Sequence, residues 1–190
     1  MLLTPLAPLG QQRVACDTTA GPFTVLLNES LSPLGVMRVT DLVKSGFMEG
    51  QLLYRVIPGL LVQFGVAADP AVTARWQGRA RRIADEPNKM PFLHGTLSFA
   101  GAGVNSRTSH LFVALSPNGM RLGRGTPHES TLGHVVEGME TFERVVANYR
   151  RSGYKDTGSL QRALRTKGNA AAADFPLLDR IRACRLAARR

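Results

Sequence analysis

A chain of 190 residues with 44% hydrophobic and 20% charged residues and a formal net charge of +10 has the make-up of one globular domain with a real core. Those proportions exclude general disorder, and no apolar run nears the ~20 residues needed to cross a bilayer. Cys16 and Cys184 are the only cysteines, too few for a disulfide scaffold, and no C-x-x-C or Cys/His cluster marks a zinc site.

Met1 to Gly10 is mildly apolar but has two prolines and no basic n-region, which makes a poor signal peptide. The reading leans towards a soluble cytoplasmic protein, with a removed leader left open. Residues 1–12 are taken as an N-terminal extension and 13–190 as a single domain. Arg13–Asp17 and Gly21–Leu27 predict two strands around a turn. Ser32-Pro33 predicts a helix start, with Ser as N-cap and Pro at the first helical position. Val36, Val39, Leu42 and Val43 recur at helical spacing, and Gly46 stops the run. Leu52–Ile57 and Leu60–Gly65 are apolar runs broken by Pro58-Gly59, read as two strands or one bent strand.

Residues 66–94 read as a long basic loop carrying Arg75, Arg79, Arg81 and Arg82; loops of that length tend to be functional or mobile. Gly95–Ala100 and Leu111–Ser116 are strand-like around a small-residue loop, and Gly133–Val136 is a short strand. Met139, Phe142, Val145, Val146 and Tyr149 mark a second amphipathic helix. The stretch 150–173 is basic and irregular, and Leu177, Ile181 and Leu186 suggest a closing strand at about 177–186. The class is mainly β. Many short strands with two clear helices predict a closed barrel capped by those helices. Cys16 and Cys184 are read as buried thiols, although a bridge becomes geometrically conceivable if the first and last strands pair.

Three blocks resemble the cyclophilin family. Tyr54-Arg55-Val56-Ile57-Pro58-Gly59-Leu60-Leu61-Val62-Gln63-Phe64-Gly65 resembles its signature. Gly95-Thr96-Leu97-Ser98-Phe99-Ala100-Gly101-Ala102-Gly103-Val104-Asn105-Ser106, followed by Ser109-His110-Leu111-Phe112-Val113, resembles a second segment. Gly133-His134-Val135-Val136-Glu137-Gly138-Met139 resembles a third. They stand in family order over roughly residues 13–149. The resemblance implies an eight-stranded antiparallel barrel closed by two helices. The implied activity is peptidyl-prolyl cis–trans isomerisation in protein folding, with proline-containing segments of client proteins as partners and no metal or cofactor.

The chemistry suits those residues. Resonance holds a peptide bond planar behind a barrier of ~18–20 kcal/mol, and rotation needs no bond breaking, so a catalyst need only bind the twisted amide best. Twisting leaves a lone pair on the prolyl nitrogen, and a fixed donor aimed at it stabilises that state selectively. By resemblance Arg55 is the donor and Gln63 a polar anchor with it. Leu60, Leu61, Phe112 and Leu122 wall an apolar pocket, Ala100 and Gly101 offer backbone contacts, and His110 stands where the family has Gln. The family's pocket Phe and Met are Leu60 and Leu61 here, its Asn is Gly101, and Arg121 stands at a Trp position, which predicts poor cyclosporin-type binding. His128 and Glu129 lie in a stretch where the family's pocket His has no clear counterpart.

The competing reading is a catalytically weak or inactive barrel that binds as a subunit of a larger complex; outside such a complex the expectation is a monomer. The basic loop and tail raise contact with an acidic protein or RNA, with Trp76 beside Arg75 the one aromatic hint of base stacking. The four histidines are scattered without ligand spacing, and no nucleophile sits in a triad motif.

Overall fold

The computed structural model describes residues 10–116, 127–145, 157–173 and 175–187. Eight strands share one sheet: β1 (Gln11–Thr18), β2 (Pro22–Asn28), β3 (Arg55–Ile57), β4 (Leu61–Phe64), β5 (Thr96–Phe99), β6 (Leu111–Ala114), β7 (Thr131–Glu137) and β8 (Ile181–Ala187). They run in the order β3-β4-β6-β5-β7-β2-β1-β8, and each neighbouring pair is antiparallel.

β3 and β8 are the two edges, so the sheet is an open half-barrel and the expectation of a closed barrel is corrected. β3 is only three residues long. The segment before it meets the start of β8 through a few bonds rather than a ladder: Leu53 N–H to the Asp179 carbonyl at 2.9 Å, and Gly50 and Ile181 N–H to the Ile181 and Gln51 carbonyls at 2.8 Å each. One isolated bridge, Leu52 with Arg180, accompanies them.

Among the described residues four α-helices stand where two were expected: α1 (Pro33–Lys44), α2 (Pro70–Gln77), α3 (Met139–Arg144) and α4 (Thr157–Lys167). α2 lies inside the stretch read as a loop. Asp69 caps it by accepting the Ala71 N–H at 2.7 Å, and Pro70 opens it, a start signal that the charge of this stretch obscured. α4 lies inside the stretch read as irregular; its Leu160 and Leu164, one turn apart, are both buried, the stripe by which a polar helix docks. α3 is shorter than expected and ends at Arg144, while Val146 and Tyr149 fall outside the described residues.

Register settles the cysteines. β1 and β8 place Cys16 opposite Cys184, and the two are joined in a disulfide across 168 residues of chain. The reading of two thiols is corrected; it failed because strand pairing is invisible in sequence alone. The bridge ties the edge strand β8 to its neighbour.

The start of α1 is held from a distance. Ser32 makes no side-chain cap bond. Instead Glu86 accepts the Leu34 N–H at 2.8 Å and the Gly35 N–H at 3.1 Å, Pro33 has no N–H, and Val36 N–H bonds the Ser32 carbonyl at 2.8 Å. Every donor of the first turn is thus satisfied. Glu86 also accepts from the Ser32 hydroxyl and, at 3.0 Å, from Arg107. Burial pushes the Glu86 carboxyl up, but the bonds from Ser32, Leu34 and Arg107 outweigh it, and its pKa lies below the usual value. Arg107 is itself buried; it donates to Ser130 Oγ at 2.8 Å and to the Ala84 carbonyl, and its guanidinium lies 5.4 Å over the Phe99 ring.

Two outcomes follow for stability. Arg107→Met leaves a buried carboxylate without its partner and should cost about 3–5 kcal/mol in urea unfolding; a loss under about 1 kcal/mol would contradict the account. Breaking the disulfide, by reductant or as Cys16→Ser, should cost about 2–5 kcal/mol given so long a closed loop, read as a lower Tm, and thiol titration of the untreated protein should find no free cysteine.

Candidate functional site

Cross-strand register assembles the site. Arg55 on β3 lies opposite Gln63 on β4, Gln63 opposite Phe112 on β6, and Phe112 opposite Ser98 on β5. Directly paired residues share a face of a sheet, so Arg55, Gln63 and Phe112 form one row on one side. The next row, Val56, Val62, Val113 and Leu97, points the other way into the main core. The β3–β4 connection fixes this register. Pro58 and Gly59 occupy its turn, Gly59 has φ 70°, and Leu60 N–H bonds the Ile57 carbonyl at 2.9 Å, as in a type II turn with Pro then Gly at the centre.

On the site face Leu61, Phe112 and Ala114 form a second apolar cluster with Phe92, and Leu60 and Ala100 pack at its margin. Phe92 meets Phe112 edge-on at 5.6 Å between ring centroids. Leu61 keeps 3% of its exposure and Phe112 1%, so these two form a packed floor, and Leu60 and Ala100, half-buried, are its rim. Phe92 was not singled out from sequence, because it stands in a proline-flanked loop with no periodic pattern. Leu122 and Arg121 lie outside the described residues.

A chain of hydrogen bonds holds the polar half. Arg55 Nη1 donates to Gln63 Oε1 at 2.9 Å, and Gln63 Nε2 donates to the Tyr54 hydroxyl at 2.8 Å. Tyr54 OH is 2.9 Å from His110 Nδ1, and Arg165 Nη2, from α4, is 2.8 Å from His110 Nε2. A guanidinium can only donate, so Nε2 is the acceptor and the ring proton sits on Nδ1, facing Tyr54. Burial, aided by the charge of Arg165, lowers the His110 pKa to about 3, and burial raises that of the Tyr54 hydroxyl. His110 is therefore a neutral imidazole with both nitrogens engaged. Gln63 has both ends of its amide occupied, and Arg55, half-buried, gives one of its N–H groups to it. Sequence reasoning assigned no role to Tyr54 or Arg165; Arg165 was one basic residue among many, and only the Leu160/Leu164 spacing hinted that its segment docks.

The loop after β5 completes the site. Ala100 N–H bonds the His110 carbonyl at 2.9 Å, leaving only the Ala100 carbonyl for another chain. A Cβ at Gly101 would lie 2.5 Å from the His128 carbonyl oxygen and 2.7 Å from the His128 Cβ. This close approach demands glycine, and it puts His128 beside Gly101. A cleft of about 300 Å³ opens next to Ala100 and His110, with Arg82 and Arg165 on its walls. Trp76 lies between the guanidiniums of Arg38, at 5.6 Å, and Arg81, at 5.9 Å, and edge-on to Phe47; it is a packed anchor, not a free platform for a base. No group of three or more His, Cys, Asp or Glu is gathered as metal ligands, and no helix is long and apolar enough to cross a membrane, among the described residues.

Residues 13–161 match the family model for "Cyclophilin type peptidyl-prolyl cis-trans isomerase/CLD". Peptidyl-prolyl cis-trans isomerase A of Dickeya dadantii is 31% identical over 134 residues, 70% of each chain. Peptidyl-prolyl cis-trans isomerase-like 1 of Aspergillus niger is 32% identical over 136 residues, 70% of this chain and 80% of that one. A cyclophilin-type isomerase of Cryptosporidium parvum, solved as a crystal structure, superposes with a TM-score of 0.66 at 19% identity, covering 94% of this chain and 98% of its own. A second crystal structure of that protein, in the presence of the dipeptide Ala-Pro, gives 0.65 at 19% identity, covering 93% and 99%. At that identity the likeness is one of fold.

The sign of the His110 shift sets a pH dependence. Its folded pKa lies below the ordinary 6.5, so between those values the unfolded chain binds the extra proton. This contribution is complete above about pH 6.5 and is lost as pH falls towards 3. From pH 7 to 5 it should amount to about 2 kcal/mol, over and above a same-signed part from His134, whose pKa burial also lowers. In His110→Gln, the fall in urea stability between pH 7 and 5 should shrink by about that amount; an unchanged fall would contradict a neutral buried imidazole.

Proposed function

The chain belongs to the cyclophilin-type peptidyl-prolyl cis-trans isomerase family, an enzyme class, and on that premise we propose that Arg55 drives rotation of X-Pro bonds in protein segments that cross the rim formed by Leu60 and Ala100. The observation that carries this reading is the row Arg55, Gln63, Phe112, in which a guanidinium stands beside an apolar floor with one N–H committed to Gln63 and no other hydrogen bond or ion pair among the described residues.

In the proposed sequence a peptide lies across this face with its proline ring on the Leu60 side, above the Leu61–Phe112 floor. The Ala100 carbonyl takes a backbone N–H of the peptide. As the imide twists, its nitrogen pyramidalises and its lone pair turns towards Arg55. The guanidinium, charged at all working pH values and rigid, donates to that lone pair. The planar ground states offer no such acceptor, so the bond is made only in the transition state and lowers the barrier. Gln63, which accepts from Arg55 and donates to Tyr54, holds the guanidinium still together with His110 and Tyr54. Leu122, by resemblance, adds to the pocket wall. No metal or cofactor enters, since no bond is made or broken.

A barrel that merely binds has no specific observation in its favour: a half-buried arginine held by a buried amide and left without an ion pair is poorly explained as scaffold. An RNA-contacting role loses its one aromatic hint, since Trp76 is partly buried and packed against the core.

In an exchange assay on a proline peptide, Arg55→Ala should lower kcat/KM by about 10²–10³-fold, the usual cost of one preorganised donor, with the circular dichroism of the fold intact. Arg55→Lys should recover little, because an ammonium lacks the planar fork. Wild-type turnover no faster than the uncatalysed rate, or an Arg55→Ala variant as fast as wild type, refutes the assignment.

A further inference from the structure

The cleft beside Ala100 and His110 shares those two residues with the proposed site, so a peptide seated there passes its mouth. Two guanidiniums, Arg82 and Arg165, line it, together with the amide side chains of Gln77 and Gln161, and its lining contains no carboxylate. The carboxylates of the adjoining loop are turned inwards. Asp85 accepts the Asn105 N–H at 2.8 Å and lies 3.8 Å from Arg107, Glu86 is on Arg107 and the start of α1, and their side chains keep 11% and 9% of their exposure. Arg82, by contrast, is exposed, and its side chain makes no hydrogen bond or ion pair among the described residues. Arg165 spends one arm on His110 and has no acidic partner among them. Further positive charge stands behind this wall: Arg38 donates to the Arg81 carbonyl at 2.7 Å and to the carbonyl of the cleft residue Thr108 at 3.0 Å. The imidazole of His110, being neutral, adds none. The fold has neutralised its own acids away from the cleft and left its bases facing it.

We propose that this cleft selects proline segments bearing an acidic side chain, the Asp or Glu carboxylate lying between Arg82 and Arg165 while the proline lies by Arg55. The proposal rests on the isomerase reading of the site and names the substrate class. Guanidinium forks match a carboxylate with paired hydrogen bonds, and the amide of Gln161 supplies a further donor, whereas that of Gln77 is spent on the Gly65 carbonyl and Ser109 Oγ. Because one wall of the cleft is open to water, the attraction is modest and screened by salt.

The test is a set of peptide pairs with Glu or Gln at each of three positions on either side of one proline. At low salt the Glu peptide should have a kcat/KM about 3–10-fold above its Gln twin at one or two positions. The ratio should approach one in 0.5 M salt, and Arg82→Glu should reverse it. A ratio of one at every position, or a preference that survives Arg82→Glu, overturns the proposal. If no peptide is turned over, the isomerase reading fails while the cleft is still decided by binding. Glu peptides should then shift the amide resonances of Ala102 to Ser106 more than Gln peptides do, and equal shifts overturn the proposal. Inorganic phosphate is the control for a free anion: if it shifts those resonances while Glu and Gln peptides remain equal, the cleft is a phosphate site and the proposal falls.

Discussion

The Glu86 carboxylate is the constraint on which most of this architecture depends. It caps the start of α1, where it takes the Leu34 and Gly35 N–H groups, and it neutralises Arg107, a cation with no exposure of its own. Arg107 in turn takes Ser130, ahead of β7, and the Ala84 carbonyl. One ion pair therefore clasps four segments distant in sequence. Isolated buried pairs seldom add net stability, because desolvation offsets their attraction. This one is dense in hydrogen bonds, and what it secures is position: the 84–86 and 105–109 segments, which flank the cleft, are pinned to the helix that packs under the sheet.

The site is pinned from the other side by the sheet and α4. Residues in register across β3, β4 and β6 need no further device to share a face, and the alternation that puts Val56, Val62 and Val113 into the core necessarily puts Arg55, Gln63 and Phe112 outside it. Sheet register supplies direction but leaves the arginine free to swing. The hydrogen bonds from Gln63 through Tyr54 and His110 to Arg165 remove that freedom. Gln63, Tyr54 and His110 are buried and Arg55 is half-buried, and donation runs inwards from a charge at each end, through neutral groups, to meet at the Tyr54 hydroxyl. A neutral His110 is required, since a protonated ring would face Arg165 with a second cation.

Much of this could be read in the sequence, for identifiable reasons. The strands around Arg55, Gln63 and Phe112 are short and apolar with clear turns, so the three could be grouped from sequence, and register puts them on one face; α1 announced itself by Ser32-Pro33 and Gly46. What escaped reading depended on pairing at long range. The disulfide needs β1 beside β8. Glu86 replaces the Ser32 side chain as helix cap across 54 positions, and nothing near Ser32 signals it. Phe92 and Arg165 come from stretches that look like basic, proline-broken loop, where charge hid the cap at Asp69 and the Leu160/Leu164 stripe. The open edge between β3 and β8 escaped because a strand count cannot say whether the last ladder closes.

The departures from the family pattern are mutually consistent. Gly101 in place of the family's Asn is demanded by His128, which presses to within van der Waals range of the backbone there. His110 in place of Gln keeps two polar ends, one for Tyr54 and one for a new partner, Arg165, that α4 delivers. Leu60 and Leu61 line the site face, and Phe92 brings an aromatic ring to the same cluster, edge-on to Phe112, an arrangement that adds attraction beyond the area it buries. The site is thus rebuilt with substitutions that answer one another, and the arginine they surround is the residue left with donors to spare.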